Sequence, residues 1–200
     1  MNISEHDELI CELAAARLGG TTVNRAPLIE NLNTAYMIQE SVYAKLGGQS
    51  VGWKIGSTSL AAQKRLGTTE PGAGRLLSDF SYGADATIPV YIDHDVQVEI
   101  EFAFVFGDHL YPRTGGYDLH DIRSSIEAFL PGMELVGSRF SGGLANSGRE
   151  AVTADGGANI AFVSGEPVPF DPAWDFAHQS CGLWINDNKM ADGTGCQALV

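Results

Sequence analysis

Basic residues are scarce in this sequence: 12 Lys and Arg stand against 25 Asp and Glu, a formal charge of −13 over 200 residues. Nucleic acid and anionic membrane surfaces are both held by clusters of Lys and Arg, so this balance argues against either as a partner. No run approaches the ~20 apolar residues that a membrane span needs. The start, Met1-Asn2-Ile3-Ser4-Glu5-His6-Asp7, has neither the basic region nor the apolar run of a signal peptide. Cysteine is rare too. Cys11, Cys181 and Cys196 form no Cys-x-x-Cys pair, which argues against zinc ribbons and dithiol redox motifs and fits reduced thiols in the cytoplasm. Repeats and low-complexity tracts are missing. What remains is a chain 44% hydrophobic and 18% charged, long enough for one domain that buries its core without disulfides.

Apolar residues at helical spacing predict a helix over Leu9, Ile10, Leu13, Ala14 and Leu18, opened by a capping pair at Ser4 and Asp7 and stopped at Gly19-Gly20. A second helix is expected from about Asn33 to Leu46, with Tyr36, Ile38, Val42, Tyr43 and Leu46 inward. Val51–Gly56 reads as a strand, Ser59 as the cap of a short helix ending at Leu66, and Gly67–Gly74 as a loop. Further on, Leu119, Ile122, Ile126, Phe129 and Leu130 predict a helix over Asp118–Leu130, closed by Pro131-Gly132. Strands are expected at Met133–Ser138 and Ala158–Ser164, with a hairpin turning across Asn186–Lys189. Helices gather early and strands late, which indicates an α+β fold: a helical N-terminal region carrying the Lys54 strand (1–80), then a β-rich part with a mixed sheet (81–200).

The most informative stretch is Val96–Phe106, which alternates with period two. Val98, Ile100, Phe102 and Phe104 face one way; Glu99 and Glu101 face the other, their Cα atoms ~6.6 Å apart. Side-by-side carboxylates repel unless water or a cation screens them. Most acidic strand faces are simply solvated. Here the same face continues as Ala103 and Val105, and a nearby apolar strand carries a lone Glu134. Three carboxylates with no neighbouring His or Cys would select a hard cation, Mg²⁺ or Mn²⁺, with Ca²⁺ also open. Lys54, inside Val-Gly-Trp-Lys-Ile-Gly, is the other unusual residue, because a lysine in an apolar strand either snorkels to water or is buried for a purpose.

GWKIGST (52–58), LLSDFSYG (76–83), VEIEFAFVF (98–106), FLPGMELVGSRF (129–140) and TADGGANIAFVSG (153–165), in this order, resemble the fumarylacetoacetate hydrolase superfamily, in its 2-keto-4-pentenoate hydratase and 4-oxalocrotonate decarboxylase branch. The resemblance implies that family's β-roll core, a Mg²⁺ or Mn²⁺ site at Glu99, Glu101 and Glu134, and a catalytic pair at Lys54 and Asp79. It implies substrate contacts at Arg139, Asp155, Thr194 and Gly195. It further implies a small 2-oxo or 2-hydroxydienoic acid as substrate, in aromatic catabolism, and a homo-oligomer. The reaction would be hydration or decarboxylation. The competing C–C hydrolases use a His–Glu pair on a loop near the metal, and none of the five histidines lies around 52–80. Oxaloacetate decarboxylation and a non-catalytic metal-binding module are the other readings. The chain departs from the family pattern at Gly156 and Ala158, beside the substrate pocket. It also ends at Cys196–Val200, before the helix and strands the pattern leads to, so a partial chain is expected.

Overall fold

The computed structural model describes residues 5–24 and 29–197. Two helices, α1 (Glu5–Gly19) and α2 (Leu32–Leu46), form one layer. Asn31 caps α2 by accepting the Thr34 amide at 3.0 Å. The cap expected at Ser4 lies outside the described residues. The helices pack with a short helix, α5 (Arg149–Ala154), around Leu9, Leu13, Ile38, Val42 and Phe140. The expected stripe of α1 holds at Leu9, Leu13 and Ala14 but not at Leu18, which is 61% exposed. The inward face of that last turn is filled by Ala16 and Arg17 instead.

Strands β1 (Ser50–Gly56) and β2 (Gly72–Leu77) form an antiparallel hairpin around α3 (Leu60–Leu66), which Ser59 caps as its sequence position predicts. The expected loop is therefore shorter than 67–74, because Gly72, Ala73 and Gly74 are taken into the ladder opposite Gly56, Ile55 and Lys54.

The main sheet contains β3 (Ser81–Gly83), β4 (Gln97–Phe106), β5 (Ile126–Val136) and β6 (Asn159–Ser164) in the order β3-β6-β5-β4, with β7 (Val168–Pro169) also paired to β5. It is mixed: β3 runs parallel to β6 and the other pairings are antiparallel. A separate hairpin, β8 (Ser180–Ile185) and β9 (Asn188–Thr194), turns through Asn186 and Asp187. Both turn residues have positive φ, the geometry that a two-residue hairpin loop demands. The architecture is α+β, as the segregation of helices and strands implies.

One expected element is wrong. The helix over 118–130 stops at Ser124 as α4 (Leu119–Ser124), and Ile126–Leu130 is strand. Its helical stripe is real in spacing, but pairing with β4 along its whole length outweighs a local period. Pro131 then lies inside β5 without ending it. Its carbonyl accepts the Gly165 amide at 2.8 Å just past the end of β6, so the reciprocal bond that its missing N–H cannot make is only the terminal one of that pairing. Among the described residues no helix is long and apolar enough to cross a membrane.

Candidate metal centre

Register makes this site. Glu99 on β4 stands directly opposite Glu134 on β5, and Glu101 stands opposite Gly132. All three glutamates therefore share one face of the sheet, and each offers a carboxylate oxygen within 4.8 Å of the others. Glycine at 132 keeps the place beside Glu101 open: a Cβ there would stand 3.3 Å from the Glu101 Cβ and 2.7 Å from the Phe162 ring. Like charges opposite each other on a ladder are destabilising, so the cluster calls for a counter-charge.

Part of that counter-charge is Lys54. Its Nζ lies 3.4 Å from Glu134 Oε2 and donates to the Gly157 carbonyl at 2.7 Å. Lys54 reaches this place over a floor of glycines. Gly56, Gly72 and Gly74 share its face of the β1–β2 hairpin, and a Cβ at Gly74 would come within 2.5 Å of the Gly156 carbonyl oxygen. The backbone of 156–158 bends to meet the lysine, with positive φ at Gly156, Gly157 and Ala158 in succession. Glycine adopts that conformation freely and alanine at a cost of about 1 kcal/mol.

Glu134 is 2% exposed. Its second oxygen, Oε1, accepts from Asn159 Nδ2 at 2.8 Å. Asn159 is fixed by Arg17, which donates to its side-chain oxygen at 3.0 Å and to its carbonyl at 2.6 Å. Arg17 also lies over the Phe80 ring, 4.2 Å from its centre. Burial, helped by the nearby Arg139, pulls the Arg17 pKa down to about 10, so the guanidinium stays charged at neutral pH. Burial pushes the Glu134 carboxyl above its ordinary value, while Lys54 and the Asn159 hydrogen bond pull the other way. Glu101 rises to about 7, first through burial and then through the charges of Glu134 and Glu99. An all-oxygen donor set whose charges oppose one another, with no His or Cys in it, suits a hard divalent cation.

Of the residues singled out in the sequence, Lys54, Glu99, Glu101 and Glu134 come together; the others stand elsewhere. Asp79 is exposed in the turn Ser78–Phe80, accepting from the Ser78 hydroxyl at 3.0 Å. In the hairpin Lys54 stands opposite Gly74, and Asp79 follows in the turn after the ladder ends at Leu77, the partner of Ser50. Among the described residues no hydrogen bond or ion pair joins it to Lys54. Arg139 and Asp155 pair in the interior, the Nε–Oδ1 contact at 2.6 Å, with Arg139 1% and Asp155 6% exposed. Gly195 packs against Phe102, on the sheet face opposite the glutamates, and Thr194 beside it bonds to Gln197 and Cys196. Hence Arg139, Asp155, Thr194 and Gly195 do not line the cluster. His94, in a turn as its position suggests, is buried with Nε2 2.9 Å from the Thr21 carbonyl. Arg17 and Asn159 were not legible in advance, because 142 residues separate these partners and no spacing links them.

No family model matches the chain. Curated proteins do. Over 119 residues it is 36% identical to a 2-keto-4-pentenoate hydratase of Paraburkholderia xenovorans (strain LB400), covering 60% of this chain and 41% of that protein. Over 121 residues it is 30% identical to a 4-oxalocrotonate decarboxylase of Pseudomonas sp, covering 60% of this chain and 43% of that protein. The chain is homologous to the 2-keto-4-pentenoate hydratases and 4-oxalocrotonate decarboxylases. That is the branch its motifs resemble. It spans about half the length of these relatives or less. Its fold is that of 4-oxalocrotonate decarboxylase from Pseudomonas putida G7. The structure of that enzyme complexed with magnesium and adipate superposes with a TM-score of 0.78 at 21% identity, covering 96% of this chain and 75% of that one. The complex with calcium and acetate gives 0.79 at 20% identity, covering 100% and 76%.

Proposed function

We propose that the protein is a divalent-metal-dependent lyase that hydrates 2-hydroxy-2,4-dienoic acids or their 2-oxo forms, in aromatic catabolism. The observation that carries this reading is the convergence of Glu99, Glu101 and Glu134 within 4.8 Å, with Lys54 bonded to Glu134. The hydratase relatives support the reaction class, and the magnesium- and calcium-bound decarboxylase structures support the choice of a hard cation. In this reading the three glutamates hold Mg²⁺ or Mn²⁺. The ion, when bound, supplies Lewis-acid stabilisation of the negative charge that develops on the substrate's 2-oxygen. Lys54, oriented by Glu134 and the Gly157 carbonyl, holds the proton that moves between dienol and keto forms. Asp79, which no ion pair joins to Lys54 among the described residues, is given no part in this step.

Decarboxylation of a 2-oxo acid of the 4-oxalocrotonate type is the second reading, favoured by the sequence and fold likeness to that decarboxylase. C–C hydrolysis is the less favoured reading, since no histidine joins the cluster among the described residues. The protein is further read as a cytoplasmic homo-oligomer without nucleic-acid or membrane partners. The test is Mg²⁺-dependent loss of 2-hydroxypenta-2,4-dienoate absorbance, abolished by EDTA and by Glu99→Gln or Glu134→Gln. Turnover undiminished by EDTA would overturn the metal reading. Tight Mg²⁺ binding without turnover of any 2-oxo acid would instead favour a non-catalytic metal-binding module.

A further inference from the structure

The N-terminal helix reaches the glutamate cluster through one residue. Arg17 follows Leu9 and Leu13 at four-residue spacing, so the line of α1 that enters the core ends in a charge instead of an apolar side chain. It is buried all the same. Its head crosses to β6, where Nη1 donates to the Asn159 carbonyl at 2.6 Å. Nη2 donates to the Asn159 side-chain oxygen at 3.0 Å and to the Ile160 carbonyl at 3.2 Å. For stability alone, a well-packed apolar side chain at such a position often serves as well or better.

What the arginine adds is direction. A guanidinium only donates, so the end of the Asn159 amide that meets it is the oxygen. The end that meets Glu134 is then Nδ2, which donates to Oε1 at 2.8 Å. Turned over, the amide would set its oxygen against a buried carboxylate. The backbone makes the meeting possible. Between Leu135 and Val136 the β5–β6 register slips by one residue, so that Asn159 and not Ile160 stands opposite Val136. Val136 shares the face of Glu134, and the bulge therefore brings Asn159 to the same face. A bulge also disrupts its ladder locally, and the carbonyls at this one, 159 and 160, are those that accept from Arg17. With Lys54 on Oε2, the Arg17–Asn159 chain leaves the Glu134 carboxylate one orientation.

We infer that Arg17 is a positioning residue of the metal centre: acting through Asn159 it fixes the orientation of Glu134, and it makes the docking of α1 and the binding of the cation favour each other. This rests on the metal-site reading. The coupling is reciprocal, so whatever docked α1 adds to cation affinity, the bound cation adds to the docking of α1.

Calorimetric titration of Mg²⁺ into the unaltered chain, Arg17→Met, Asn159→Leu and the double variant is the test. Groups that orient metal ligands account for about 10- to 100-fold in affinity, so Arg17→Met should weaken Mg²⁺ binding at least ~10-fold. In the Asn159→Leu background the same substitution should change the affinity by less than about twofold, because its route to Glu134 is already cut. Effects that add in full would show a general loosening of the fold and overturn the inference, as would Arg17→Met with unchanged affinity. Arg17→Lys keeps the charge but not the paired donors; it should fall between the two, and it takes the place of Arg17→Met in the cycle if that variant does not fold. Hydrogen exchange in the unaltered chain needs no variant. Saturating Mg²⁺ should slow exchange in the last turn of α1, residues 16–19, by up to ~10-fold more than in the last turn of α2, residues 42–46. Equal slowing of both helices is mass action on folding as a whole and would count against the coupling. Failure of the unaltered chain to bind Mg²⁺ would remove the metal-site reading and this inference with it, whereas binding that ignores Arg17 removes the inference alone.

Discussion

Glu134 is held from two sides, by Lys54 on Oε2 and by Asn159 on Oε1, and Asn159 is held in turn by Arg17. A ligand carboxylate fixed in this way loses little freedom when a cation arrives, and groups that orient metal ligands typically account for 10- to 100-fold in affinity. Asn159→Leu should therefore weaken Mg²⁺ binding by about that factor in a titration, with the circular dichroism spectrum retained. Unchanged affinity would mean that Asn159 serves only the fold. Glu101 carries a pH prediction for the metal-free chain. Its folded pKa of about 7 stands above the ordinary 4.5, so between those values the folded chain binds more of this proton than the unfolded chain does. Stability from this group is then fully present below pH 4.5 and is lost as pH rises towards 7. The melting temperature without metal should fall over that interval, and Glu101→Gln should flatten this part of the fall. Saturating Mg²⁺ should raise the melting temperature most at the upper end, by mass action on the folded state. A metal-free melting temperature that climbs with pH identically in both proteins would remove the electrostatic reading of Glu101.

Strand β4 was legible because its alternation is strict and its two glutamates fall on one face; the pairing that completes the site was not. Nothing in Met133–Ser138 alone sets Glu134 opposite Glu99 rather than one residue along, which would turn it to the other face. The misread helix has the same origin. Ile126, Phe129 and Leu130 have helical spacing, yet Phe129 packs edge-on to Phe102, at 5.6 Å between ring centres, and against Phe176 at 5.2 Å. Those aromatic partners, 27 and 47 residues away in sequence, select the strand. By contrast the cap at Ser59 and the Asn186-Asp187 turn depend only on near neighbours, and local chemistry decides them. The glycine floor under Lys54 gives a prediction for the hairpin as an element. Gly74→Ala places a methyl 2.5 Å from a backbone oxygen that has no rotamer to escape through. It should cost about 1–3 kcal/mol, a fall in melting temperature of several degrees. Gly19→Ala, with nothing within 4 Å, is the control and should leave the melting temperature unchanged or slightly higher.

For the molecule as a whole, charge and apolar surface pull in opposite directions. The net charge of −13 keeps copies apart through repulsion. Yet the face of β1 that points away from Lys54 presents Val51, Trp53 and Ile55, each more than half exposed, and the β8–β9 hairpin presents Trp184, Ile185 and Met190. Single exposed apolar residues are ordinary; three consecutive outward positions of one strand are a surface that gains by being covered. If those faces join copies of the chain, association should strengthen as salt screens the repulsion, the reverse of an interface built on ion pairs. Sedimentation velocity at about 10 and 100 µM protein, in low salt and at ~0.5 M NaCl where the screening length is only a few ångströms, reads this directly. The larger species should grow with both concentration and salt. Ile55→Lys should suppress it without changing Mg²⁺ affinity, because Ile55 and Lys54 lie on opposite faces of the same strand. A monomer under all four conditions would remove the homo-oligomer from the proposed function, and a larger species that salt dissolves would move the interface from these apolar faces to charged ones.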